Sequence, residues 1–125
     1  PEHPEVATDL NNLAGLLQAT NRLAEAEPLY RRALAIDETS FGPEHPKVAI
    51  RLNNLAQLLQ ATNRLAEAEP LMRRALAIVE TTFGPEHPST RTVRGNLALL
   101  EAALAGAASP ASPPRKRWWA RLLRR

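Results

Sequence analysis

Three histidines sit at one position of a recurring phrase: His3, His45 and His87, each inside Pro-Glu-His-Pro. Imidazoles hold zinc when several donors converge about 2 Å from the ion. One histidine per forty-two residues does not converge. In a stack of repeats, neighbours lie on the order of 10 Å apart, so these read as helix-start loop residues. Glu25/Glu27 and Glu67/Glu69 are paired acids, but general acid–base work needs a pocket around the pair. They flank helical turns, facing solvent or arginine. The sequence carries no Ser/His/Asp grouping, Gly-rich phosphate loop or dinucleotide fingerprint. No catalytic residue, metal ligand or cofactor is expected, and the chain does not read as an enzyme. What remains is a set of amide side chains, which can donate to and accept from a peptide backbone at once.

The elements that position them repeat. Residues 1–42 and 43–84 are two copies of one phrase, and it begins a third time at Pro85. The copies differ at seven of forty-two positions: Glu5/Lys47, Thr8/Ile50, Asp9/Arg51, Gly15/Gln57, Tyr30/Met72, Asp37/Val79 and Ser40/Thr82. A fixed period of this length means a stacked array whose units cannot bury their apolar faces alone. The array is read as 1–105, with units 1–42, 43–84 and a partial 85–105. An Ala/Ser/Pro linker over 106–114 and a basic segment over 115–125 follow. The chain opens on Pro1 inside the loop motif and reads as cut from a longer array.

Each unit reads as two helices. In the second copy, Pro46 suits a first helical position. Val48, Leu52, Leu55, Ala56 and Leu59 then recur at helical spacing. Asn63 suits a left-handed turn. Leu65, Ala68, Leu71, Met72, Ala75, Leu76, Ile78 and Val79 mark the second helix, with Gly84 as its cap. Pro28 and Pro70 fall inside that helix, where a proline removes one hydrogen bond and crowds the preceding turn. The spacing predicts helices near 4–19, 23–40, 46–61, 65–82 and 88–105, antiparallel in sequence order. Ala68 is placed at the helix crossing, and Glu69 and Arg73 are expected to pair.

Leu52-Asn53-Asn54-Leu55-Ala56-x-x-Leu59, followed by Arg64-Leu65-Ala66-Glu67-Ala68, Met72 and Ala75, resembles the tetratricopeptide repeat. The forty-two-residue period and the GPEHP loop are similar to its kinesin-light-chain type. The resemblance covers residues 1 to about 105. It implies an all-α solenoid of antiparallel helix pairs that serves as a protein-interaction scaffold. The third unit departs from the pattern, with Arg94 and Glu101 where Leu52 and Leu59 lie and no second-helix sequence after them.

If the leucine stripe faces the second helix, the opposite stripe of the first helix lines a concave groove. Its candidate residues are Thr8, Asn11, Asn12 and Gln18, then Ile50, Asn53, Asn54, Gln57 and Gln60, and Asn96. The resemblance implies that Asn12, Asn54 and Asn96 stand where family members hold a peptide main chain. Thr8, Asn11, Ile50 and Asn53 replace the cations that a terminal-carboxylate clamp needs, so carboxylate capture is not expected. The expected partner is a protein or peptide.

Charge separates the array from the tail. Residues 1–106 hold ten basic and thirteen acidic side chains, whereas 107–125 hold six basic and none acidic. The pI of about 10.2 describes the tail, so nucleic-acid binding by the array is disfavoured. Written as a helix over about 114–124, the tail carries Trp118, Trp119, Leu122 and Leu123 on one face. Three readings stay open: packing on the stripe Val93, Leu97, Leu100 and Leu104 as a substitute second helix, lying on an anionic membrane surface, or stacking on nucleic acid. The membrane reading makes the chain a membrane-surface adaptor. The same face, or the repeat ends, offers self-association. There is no Cys, no signal-peptide pattern and no apolar run of membrane-spanning length, so a cytoplasmic location is expected.

Overall fold

The computed structural model describes residues 3–108. It contains five helices: α1 (Pro4–Ala19), α2 (Leu23–Phe41), α3 (Pro46–Ala61), α4 (Leu65–Phe83) and α5 (Pro88–Ala108). No strand occurs among the described residues. The predicted helix starts coincide with these. The ends differ by one residue in α2 and α4 and by three in α5. Trp118, Trp119, Leu122 and Leu123 lie outside the described residues.

Local chemistry explains the boundaries. Each first helix begins at a proline, and the preceding histidine caps it. The Nδ1 atoms of His3, His45 and His87 accept the backbone N–H of Glu5, Lys47 and Ser89, each at 3.0 Å. This satisfies one of the donors orphaned at a helix start. His45 and His87 also stack on Phe41 and Phe83, with ring centroids 4.7 and 4.5 Å apart. The first helices end where Asn21 and Asn63 turn left-handed at φ 63° and 60°. The second helices end on Gly42 and Gly84 at φ 91° and 88°, a region glycine enters without a Cβ penalty. Pro28 and Pro70 occupy the sixth position of α2 and α4, and both helices continue through them. Glu69 and Arg73 pair at 3.2 Å, as expected.

Successive helices pack in order, α1 on α2, α2 on α3, α3 on α4 and α4 on α5. The main core cluster runs through the stack and includes Leu52, Leu55, Ala56 and Leu59 of α3 with Ala68, Met72, Ala75 and Ile78 of α4, and a smaller second cluster joins Ala7 of α1 to Ala33 and Ile36 of α2. The first helix of a unit uses two apolar faces. One, carrying Leu52 and Leu59, meets its own second helix. The other, carrying Leu55 and Leu58, meets the second helix of the unit before. The exposures separate the two: Leu55 and Leu58 are wholly buried, while the equivalent Leu13 and Leu16 of α1 are 47% and 63% exposed.

This corrects the expectation for α5. Val93, Leu97 and Leu100 are not left against water. They are buried in the core cluster, and Leu104 is partly buried beside them. They occupy the face that meets the preceding second helix, which is α4. The face that its own second helix would cover instead carries Arg94 and Glu101. Arg94 donates to the Pro85 carbonyl at 3.0 Å and approaches Glu80 at 3.5 Å, and Glu101 accepts from Arg73 at 2.5 Å. At these two positions α5 is polar where the full units carry leucine.

Ion pairs tie the second helices together. Arg64 of the α3–α4 turn reaches Glu27 of α2 at 2.5 Å and Glu67 at 2.7 Å, and Arg31 also holds Glu27 at 2.8 Å. Burial alone would push the Glu27 carboxyl up, but hydrogen bonds from Arg31 and Arg64 outweigh it and hold it below its ordinary value of 4.5. A carboxyl lowered by folding contributes stability above its unfolded pKa, and that contribution is lost as pH falls through the folded value. Urea midpoints measured from pH 6 down to pH 3 should therefore fall less steeply for Glu27→Gln than for the wild type. Parallel acid limbs would mean that Glu27 contributes nothing to the seam.

Candidate functional site

The first helices of the three units lie side by side, and the asparagine stripe joins them. Asn54 Nδ2 donates to Asn11 Oδ1 at 3.1 Å, and Asn96 Nδ2 donates to Asn53 Oδ1 at 3.2 Å. Four of the predicted groove amides are thus bridges between helices. Each bridging amide keeps a second N–H or a second lone pair for another partner. Gln18 is also engaged: its Oε1 accepts the Tyr30 hydroxyl at 2.8 Å. The second copy has Met72 in place of Tyr30, so Gln60 is half-buried without that donor. Asn12 and Gln57 are exposed. Thr8 is exposed, and its hydroxyl accepts from Arg51 at 3.3 Å.

A pocket of ≈ 370 Å³ opens where the start of α3, the end of α4 and the start of α5 meet. Ile50, Asn53, Val79, Phe83, Thr92 and Val93 line it. Ile50 and Phe83 are 54% and 41% exposed, an unusual state for large apolar side chains in a concave site. Of the predicted groove residues, Ile50 and Asn53 line this pocket.

The equivalent place one unit earlier is closed by charge. Arg51 Nε bonds Asp37 Oδ2 at 2.6 Å while its Nη2 reaches Thr8. Asp37 is wholly buried and Arg51 is 8% exposed. The second Asp37 oxygen, Oδ1, has no partner among the described residues. In the next seam the same three positions are Ile50, Val79 and Val93. A polar triad has been exchanged as a set for an apolar one, and the pocket occupies the second seam. Sequence reasoning placed Thr8 and Ile50 on the groove but missed Asp37 and Arg51. The signal was present: Thr8/Ile50, Asp9/Arg51 and Asp37/Val79 are three of the seven differences between the copies.

The family model described as tetratricopeptide repeat matches residues 5–81 and again 52–112. The chain is a tetratricopeptide repeat protein. Tetratricopeptide repeats mediate protein–protein interactions on a scaffold without catalytic machinery. Among solved structures, this tetratricopeptide array is similar to BtubC (BKLC) from P. vanneervenii, at 26% identity and TM-score 0.75, over 82% of this chain and 41% of that one. It is also similar to kinesin light chain TPR-like repeats from Podosopora anserina, at 29% identity and TM-score 0.75, over 85% of this chain and 50% of that one. The chain therefore spans half or less of the length of these structures. The kinesin-light-chain type of repeat expected from the period and loop is the type these neighbours represent. No curated protein matches the chain.

Proposed function

We propose that the chain is a protein-interaction module that takes an extended segment of a partner along the α1–α3–α5 face, with an apolar side chain in the pocket of the second seam. The pocket carries this reading. It exposes Ile50 and Phe83 beside bridging amides that have donors and acceptors to spare for a peptide backbone. Asn54 is not a clean probe of binding, because truncating it also breaks the bridge to Asn11. Ile50 is cleaner, since it is exposed and bonded to nothing.

The test is selection of a random peptide library on the intact chain, followed by calorimetry with the recovered peptides. Ile50→Glu should weaken them by about tenfold or more, since burying one large aliphatic side chain is worth roughly 1.5–3 kcal/mol. Ala77→Glu, at an exposed α4 position outside the pocket lining, should leave affinity unchanged. Peptides sensitive to Ala77→Glu and indifferent to Ile50→Glu would place binding on the outer face and overturn the reading.

A further inference from the structure

The two seams of the row repeat one set of wall residues and differ in a second set. Ala49, Asn53 and Phe83 line the second-seam pocket, and Ala7, Asn11 and Phe41 stand in their places one unit earlier. The second set is exchanged. Where the second seam has Ile50, Val79, Ser89 and Val93, the first has Thr8, Asp37, Lys47 and Arg51. No charged residue lines the second-seam pocket, whereas the first seam brings an acid and two bases to the same places.

The first-seam set fills its own seam. Arg51 of α3 holds Asp37 of α2 at 2.6 Å and Thr8 of α1 at 3.3 Å. These bonds join the three helices at the positions whose counterparts line the pocket. Lys47 adds a second plug. Its Nζ stands 4.8 Å from the centre of the Phe41 ring, an attractive placement that takes up the ring face an apolar guest would use. Ser89 is too short to do the same, and Phe83 is 41% exposed where Phe41 is half-buried. The stacked histidines are common to both seams, so they do not account for the difference. An apolar side chain entering the second seam displaces water from apolar walls, which is favourable. One entering the first must part the buried Arg51–Asp37 pair and leave each charge uncompensated.

We infer that positions 8, 37, 47 and 51 form a specificity set: Thr8, Asp37, Lys47 and Arg51 shut the first seam to apolar side chains, so a partner segment lying along the row is held by one apolar residue at the second seam and not by two. This rests on the α1–α3–α5 binding face proposed above, and it names what sets the number and spacing of the anchors. One repeat step is on the order of 10 Å, or about three residues of extended chain at roughly 3.3 Å each. A row with both seams open therefore selects a second apolar residue about three positions from the first. Ile50 also stands in the first seam, at the place Thr92 takes in the second. Being apolar, it suits an open seam and is left unchanged there.

Two variants exchange the sets. Thr8→Ile/Asp37→Val/Lys47→Ser/Arg51→Val opens the first seam, and Ile50→Thr/Val79→Asp/Ser89→Lys/Val93→Arg closes the second. Far-ultraviolet circular dichroism checks that each still folds. The probe is N-acetyl-leucine methylamide, a neutral capped amino acid, titrated into the 125-residue chain and followed by backbone amide NMR. In the wild type, shifts should gather at Ala49 and Phe83. In the opened variant they should appear at Ala7 and Phe41 as well, and in the closed variant at neither seam. Shifts at Ala7 in the wild type, their absence in the opened variant, or none at Ala49 in the wild type would each overturn the inference. So would a closed variant that binds the probe as the wild type does. If the closed variant does not fold, the opened one decides. Library peptides selected on the opened variant should carry two apolar residues about three apart and bind it about tenfold or more tighter than the wild type. Equal affinity for the two chains would also overturn the inference. Probe shifts that follow the exchanged sets, with wild-type peptides indifferent to Ile50→Glu, would sink the proposed binding face and leave the seam assignment standing.

Discussion

Asp37→Val should be among the most destabilising single substitutions in the array. It leaves the Arg51 guanidinium, 8% exposed, in a seam with no anion. Removing one partner of a buried pair costs roughly 3–5 kcal/mol, mostly because the other charge is left uncompensated. The same argument predicts its own rescue. Asp37→Val with Arg51→Val removes both charges and sets valine against valine, as Val79 and Val93 are set in the next seam. Adding Thr8→Ile completes the copy of that seam. The triple variant should recover to within about 1–2 kcal/mol of the wild type, since well-packed apolar residues replace buried ion pairs without loss in favourable cases. Urea denaturation followed by circular dichroism gives the order directly: the single variant lowest, the double above it, the triple highest of the three. A single variant as stable as the wild type, or a double no better than the single, would show that the pair does not hold the first seam. Asp37 Oδ1, buried without a partner, already limits what the pair gains, and it favours recovery in the apolar versions.

The second large effect is expected at the crossing of α3 and α4. Ala68 is wholly buried in the same cluster as Leu52, Leu55, Ala56 and Leu59. Ala26 holds the equivalent place between α1 and α2 and is also wholly buried. A methyl group at that position lets the two helices approach, and a larger side chain must push them apart or leave its preferred rotamer. Ala68→Leu should therefore cost about 1–3 kcal/mol. Ala66→Leu, two residues away and exposed, is the control and should change little. Equal midpoints for the two variants in chemical denaturation would mean that the crossing lies elsewhere along α4.

Much of this was legible in the residues. Helix starts could be read because proline and histidine mark them twice over, and their ends because Asn21, Asn63, Gly42 and Gly84 turn the chain. The antiparallel pairing followed from leucine spacing. The face that α5 presents was not legible from its apolar stripe alone. Val93, Leu97, Leu100 and Leu104 look like a surface awaiting a partner, and a periodicity does not say on which side the partner lies. Comparison with α3 resolves it, because Leu55 and Leu58 are buried by the helix before and not by the helix after. The groove was half legible. Amide side chains on one stripe could be read from spacing, but a bond from Asn54 to Asn11 depends on the offset between two helices that are distant in sequence. The seam triads were encoded only as differences between copies. Residues as far apart in sequence as Thr8, Asp37 and Arg51 become one contact when α1, α2 and α3 come together.

The two asparagine bridges also make α3 a relay between its neighbours. Asn54 reaches back to Asn11 while its neighbour in sequence, Asn53, takes the bond from Asn96 ahead. Adjacent residues on an α-helix are separated by about 100° of arc, so both bonds start from one side of α3 rather than from opposite sides. A rotation of α3 about its axis moves both amides in the same sense. The register of α3 against α1 is therefore coupled to the register of α5 against α3, and a shift at one seam is passed to the next through two adjacent residues.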